Sequence, residues 1–172
     1  MLTNKQYVRW LPAAGFIAML LGAVDPMEGS VLMAAGSALV LLDRFVERAE
    51  PAERAYRLWA FGLSAFGVSA LFGLSALGGV GDDTGISGWW AALALPYLVG
   101  WSMSIWGRGS PSWVLWLGMV PSAWWLVVLG LMLTRDFGGP YALMAGIPLG
   151  ATGAATIAGC IVRLGQRSKA AA

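Results

Sequence analysis

Six apolar runs of bilayer-crossing length, or close to it, occupy most of this chain: Tyr7 to Val24, Pro26 to Val46, Leu58 to Val80, Trp89 to Trp106, Pro111 to Thr134 and Tyr141 to Val162. A hydrocarbon core of about 30 Å is crossed by roughly 20 residues of α-helix at 1.5 Å per residue, with tolerance for tilt and local thinning. Inside that core no water pairs with backbone N–H and C=O groups, so each run has to close its hydrogen bonds within itself. The expected fold is an all-α integral membrane protein, one polytopic domain built as a six-transmembrane-helix bundle. Composition agrees: 58% of the 172 residues are hydrophobic and 12% charged, a balance that does not keep a water-exposed domain soluble.

The second run is the most strained. Its uninterrupted apolar stretch reaches only from Val31 to Leu42, so it spans only if the helix starts near Pro26 and continues past Asp43 and Arg44. Local signals favour that extension. Asp25 is a good N-cap, Pro26 suits the first helical position, and Glu28 completes a capping-box pattern. The same grammar at Glu50-Pro51, Ser110-Pro111 and Gly139-Pro140 marks the expected starts of helices three, five and six.

Basic residues set the orientation. Lys5 and Arg9, the four arginines from Arg44 to Arg57, Arg108, and the Arg163, Arg167, Lys169 tail fall on one side of the expected membrane, with four acids. The other side holds Arg135 alone, against Asp25, Glu28, Asp82, Asp83 and Asp136. Basic loops stay cytoplasmic, so both termini are expected inside, in a multi-pass protein of the cell (plasma or inner) membrane. Lys5 and Arg9 precede an apolar stretch as in a secretory signal. The small-residue site before Asp25 is poor, however, and the next helix follows closely, so a continuous amino-terminal hairpin is expected.

The chemistry available is narrow. Histidine is absent, which removes the commonest general base and metal ligand, and Cys160 is the lone cysteine. No metal site, cofactor or catalytic constellation is expected, and the chain reads as no enzyme. A net charge of +2 gives no footprint for nucleic acid. The expected partners are the lipid bilayer and either a second copy or another membrane protein.

Between spans two and three, Asp43 to Trp59 reads as an interfacial helical elbow. Its arginines lie at headgroup level, with Glu50–Arg54 and Glu53–Arg57 as i,i+4 pairs. Span three carries a repeat, Phe61 to Gly67 and Phe72 to Gly78, which puts Gly62 and Gly73 on one face; span six has Gly146, Gly150, Ala154 and Ala158 four apart. These stripes point to spans three and six as the central packing helices. Their hydroxyls are expected to bond their own backbone carbonyls.

Pro12, Pro96, Pro121 and Pro148 fall within apolar runs, and the last three are expected to kink or locally open their helices. Trp124 and Trp125 fall near mid-span, where an indole N–H needs an internal partner. The ligand or ion candidates are Asp25, Glu28, Arg135, Trp124, Trp125, Pro96 and Pro121. The two acids have the stronger case, because a short second span draws their turn into the outer leaflet. There a carboxylate persists by binding a cation, sharing a proton or pairing with a base such as Arg135. The Asp82-Asp83 loop matches no calcium or phosphate motif and reads as a solvated connection.

Two functional readings follow: a small transporter or channel-like bundle, and a non-catalytic accessory, assembly or sensory membrane subunit. A small tryptophan-rich chain invites comparison with the translocator or tryptophan-rich sensory proteins. Those resemble a five-span bundle, whereas the charge pattern here gives six spans, and their ligand-pocket motif does not map onto these residues. The chain is assigned to no family on sequence.

Overall fold

The computed structural model describes residues 4–25, 28–79, 90, 92–93, 95–107, 109–135 and 139–171. They form six helices: α1 (Asn4–Gly22), α2 (Ser30–Val46), α3 (Pro51–Ala76), α4 (Leu95–Trp106), α5 (Ser112–Arg135) and α6 (Gly139–Ala171). Three stretches, Pro51–Ala76, Ser112–Thr134 and Gly146–Ala170, are long and apolar enough to cross a membrane. Leu21, Phe66, Phe72, Trp116, Val120, Leu133 and Ile161 are among the large apolar side chains facing outward, as a hydrocarbon surrounding requires. Pro26, Trp89, Asp82, Asp83 and Asp136, which entered the sequence reading, lie outside the described residues.

The amino-terminal hairpin is closed by four glycines spaced seven apart. A methyl group on Gly15 would come within 2.7 Å of the Gly36 carbonyl oxygen and 2.8 Å of Val40 Cγ2, and one on Gly36 would collide with the Gly15 carbonyl. Gly22 and Gly29 block one another in the same way two helical turns nearer the hairpin's turn. Such contact is how helices associate in lipid, where moving an apolar side chain from hydrocarbon to an interface gains little.

The centre belongs to α4, not to α3 and α6 as the small-residue stripes suggested. Seven of its twelve residues are buried, against 22% of the apolar windows of α3 and α6. Tyr97 reaches α2 through a hydroxyl 2.8 Å from Met33 Sδ, and Ser104 Oγ lies 3.2 Å from Ser37 Oγ. Towards α3, Gly100 sits against Ser64, and Tyr97 covers Gly67. Towards α5 and α6, Trp101 packs on Trp125 with ring centroids 5.6 Å apart, and Ser102 Oγ is 2.7 Å from Thr156 Oγ1. Gly62 and Gly73, the glycines of the span-three repeat, have nothing within 4 Å of an added Cβ. The small residues of α6 serve α5 and α4 instead: Gly150 receives Leu129, Gly153 the Ser122 carbonyl and Gly159 the Trp106 ring. The hydroxyl expectation is met by Ser64 in α3 and Thr156 in α6, each donating to the carbonyl four residues back. Ser122 of α5 does the same, and with the Thr156 proton so used it is the Ser102 hydroxyl that donates to Thr156 Oγ1.

Two helices end in the same motif with different residues. After α3, Gly78 (φ 95°) places its N–H on the Ser75 carbonyl while Gly79 N–H reaches Leu74 O. After α2, Arg48 N–H bonds Phe45 O and Ala49 N–H bonds Arg44 O, the same pattern, but at φ 53° a side chain occupies the left-handed position. Asp43 to Trp59 is thus broken at residues 47–50, and α3 begins at once at Pro51, so the elbow is a tight corner between two helices rather than a helix of its own.

Two outcomes are expected from thermal unfolding in mild detergent. Gly15→Ala or Gly36→Ala lowers stability by about 1–3 kcal/mol through overpacking, whereas Gly62→Ala or Gly73→Ala leaves it unchanged or raises it by up to about 1 kcal/mol. Arg48→Gly raises it by about 1 kcal/mol by relieving the left-handed conformation.

Candidate functional site

Contacts along the helices fix the relative depth of their ends. Trp125 Nε1 donates to Ala23 O at 3.0 Å, so the end of α1 lies level with Trp125, ten residues or about 15 Å short of the end of α5. Tyr97 meets both Met33 and Gly67, and Gly67 is nine residues, about 13 Å, short of the end of α3. The α1–α2 turn and the start of α4 therefore stop well short of the level at which α3 and α5 end. This turn carries Asp25 and Glu28, both exposed. Asp25 Oδ1 accepts the Glu28 N–H at 3.2 Å and Asp25 O accepts the Gly29 N–H at 2.8 Å. Asp25 thus caps a turn, and α2 itself starts four residues later than the proline-led start expected, with Gly29 as its N-cap.

The other candidates separate. Arg135 closes α5 about 15 Å beyond the level of that turn, and its side chain is outside the described residues. Trp124 faces outward, half-exposed, while Trp125 is fully buried on Trp101. Pro96 occupies the second position of α4, where a missing N–H costs nothing, so it starts a helix instead of kinking one. Pro121 is buried within α5, and the adjacent Ser122 hydroxyl donates to Gly118 O at 2.8 Å.

A cluster expected among the headgroups lies at the end of the bundle where α2 stops and α3 starts. Arg57 is 2% exposed. Its Nη1 donates to Ser104 O at 2.8 Å, its Nη2 to Ser110 Oγ at 3.0 Å, and its guanidinium stands 5.7 Å from the Phe16 ring centroid. One side chain thus ties α3 to α4, to the α4–α5 connection and to α1. Beside it, Arg167 of α6 donates to Ser110 O and Ser112 Oγ, and Tyr56 donates to Met103 O at 2.8 Å.

Arg44 gathers the acids of the corner. It lies 3.3 Å from Asp43 Oδ2, 3.1 Å from Glu47 Oε2 and 3.6 Å from Glu53 Oε1, so Glu53 pairs across the corner, while Arg54 lies 5.6 Å from the Phe45 ring centroid. Asp43 is fully buried, and among the described residues neither of its carboxylate oxygens accepts a hydrogen bond. Glycine makes room for this arrangement: a Cβ on Gly109 would strike Glu53 Oε1, and one on Gly107 would lie 3.1 Å from Arg57 Cζ. Just outside the corner, Tyr56, Trp106, Ala155, Ala158, Gly159, Val162, Arg163 and Gln166 line a groove of about 550 Å³.

The available signal for the cluster was the number of arginines immediately before and after Pro51. Their pattern marked a charged corner, but not which guanidinium is buried in it. Chemically, the cluster is a clamp with one stressed member, the buried Asp43 carboxylate. Among the described residues no group of three or more acids and cysteines is placed to hold a metal ion. No protein-family model matches the chain, and neither a curated protein nor a solved structure is found similar to it.

Arg57→Met, which leaves Ser104 O and Ser110 Oγ without their charged donor, is expected to lower stability by about 3 kcal/mol in thermal unfolding. Arg57→Lys is expected to recover less than half of that, because a single ammonium lacks the forked geometry.

Proposed function

We propose that this is a multi-pass protein of the cell (plasma or inner) membrane whose six helices all enter the bilayer with both termini cytoplasmic. We assign it the role of a non-catalytic accessory or assembly subunit. The observation that carries this reading is the filled centre of the bundle. Trp101 and Trp125 are both fully buried against each other, Phe16, Met19 and Ile105 are equally covered, and a twelve-residue helix plugs the middle. The seams are closed at backbone contact, so the molecule is built to hold a shape and to present outward faces. Positive-inside asymmetry supports the orientation: Arg44, Arg57 and Arg167 meet at one end of the bundle, the end where α2 stops and α3 starts.

A transporter-like reading has one observation in its favour. The turn with Asp25 and Glu28 stops about 13–15 Å short of the outer ends of α3 and α5, so in a membrane it draws water or headgroups down to its carboxylates. Flux separates the two. Liposomes holding the purified chain are expected to pass cations and small solutes no faster than empty ones. Flux above that background that disappears in Asp25→Asn would replace the accessory reading with the transporter-like one.

Orientation is checked with reporters: one after Ala172 is expected in the cytoplasm and one inserted at Asp82 outside. Chemical crosslinking in intact cells is expected to trap the chain with a second copy or another membrane protein; recovery as monomer alone would count against an accessory role.

A further inference from the structure

We propose that the groove between α3 and α6 binds one anionic phospholipid, with its acyl chain lying over Ala155, Ala158 and Gly159 and its phosphate at Arg163. The proposal rests on the membrane location just given, and on no particular role for the bundle. Small side chains keep the α6 face low. Gly159 lets the Trp106 ring lie directly on the helix backbone, since an added Cβ would collide with that ring, and the indole becomes one wall of the groove.

The lining is graded in polarity along α6. Ala155, Ala158, Gly159 and Val162 come first, then Arg163 and Gln166, with Tyr56 of α3 contributing the opposite wall. An amphiphile with one charged end matches that order. No carboxylate lines the groove, so Arg163 carries its formal charge there. Its neighbours are engaged: Arg167 is held by Ser110 and Ser112, Arg57 by Ser104 and Ser110, and the Tyr56 hydroxyl by Met103 O. The Arg163 side chain makes no hydrogen bond or ion pair among the described residues, with the Tyr56 phenol as its electrostatic neighbour. A guanidinium suits a phosphate diester geometrically as well as by charge.

Size argues against a helix as occupant. The groove follows α6 from Ala155 to Gln166, about 16 Å, and holds about 550 Å³. A helix is about 10–12 Å across with its side chains, so that length of one fills more than twice the volume. An extended hydrocarbon chain fits. Its head would sit at the inner surface, where basic residues attract anionic lipid.

The test is native mass spectrometry of the full chain released from bilayers with equal amounts of phosphatidylglycerol and phosphatidylcholine. One phosphatidylglycerol per chain is expected to be retained, preferred about fivefold, the factor one basic side chain contributes near an anionic lipid surface. Arg163→Gln should remove the preference between headgroups. Ala158→Phe, at an exposed position, should remove retention of both lipids without lowering the melting temperature. Inorganic phosphate should not displace the lipid. Retention without headgroup preference, a preference that survives both substitutions, or a second copy of the chain lost in Ala158→Phe would each overturn the proposal. Extraction of the chain from membranes by alkaline carbonate would instead sink the membrane reading, a separate outcome.

Discussion

Hydrocarbon surroundings remove the usual reason for helices to stick together, because a leucine gains little by leaving lipid for an interface. What remains is close approach of backbones, dispersion between well-fitted side chains and a few buried polar contacts. This molecule uses all three, and the first decides the others. The α1–α2 hairpin closes at Gly15–Gly36 and Gly22–Gly29, and α4 is admitted to the centre because Gly67, Gly100 and Gly118 leave room for Tyr97, the Ser64 region and Ile105. Only then do Trp101 and Trp125 meet, and only then do Ser37, Ser102 and Ser104 find partners on neighbouring helices.

The existence of six helices, the proline-led starts of α3, α5 and α6 and the charged corner after α2 were legible because each depends on residues close in sequence. Pro51 opens α3 and Gly139 opens α6 as expected, and Pro111 immediately precedes α5. Which faces meet was not legible. The Phe-Gly-Leu-Ser-Ala repeat correctly implies that Gly62 and Gly73 share a face, but a period says nothing about what stands opposite, and among the described residues nothing comes within 4 Å of either. The more informative spacing was the seven-residue interval of Gly15, Gly22, Gly29 and Gly36, which runs through a turn into a second helix and so predicts a reciprocal contact. The role of α4 was hidden for another reason: when every helix is apolar all round, hydrophobicity no longer marks the buried one.

The candidate residues show the same division. Asp25 forms the local bond to the Glu28 N–H that its identity suggested, whereas the depth of that turn depends on Trp125 reaching Ala23 from 102 residues away. Arg57 and Asp43 were placed at a solvated surface because charged residues normally remain there. Burial became affordable for Arg57 through partners that include carbonyl and hydroxyl acceptors from Ser104 and Ser110, which the chain supplies about 50 residues later.

The bond from Trp125 to Ala23 also orders the assembly of the protein in time. A helix end leaves carbonyls without intrahelical donors, and at the end of α1 one of these is satisfied by a side chain that the ribosome adds long after α1 has been made. The first hairpin can zip through its glycines as soon as it emerges, since chains fold from the amino end as they are synthesised. It nevertheless keeps an open carbonyl until α5 arrives. The seam between α1 and α5 therefore closes, through an indole, only once α5 has been made.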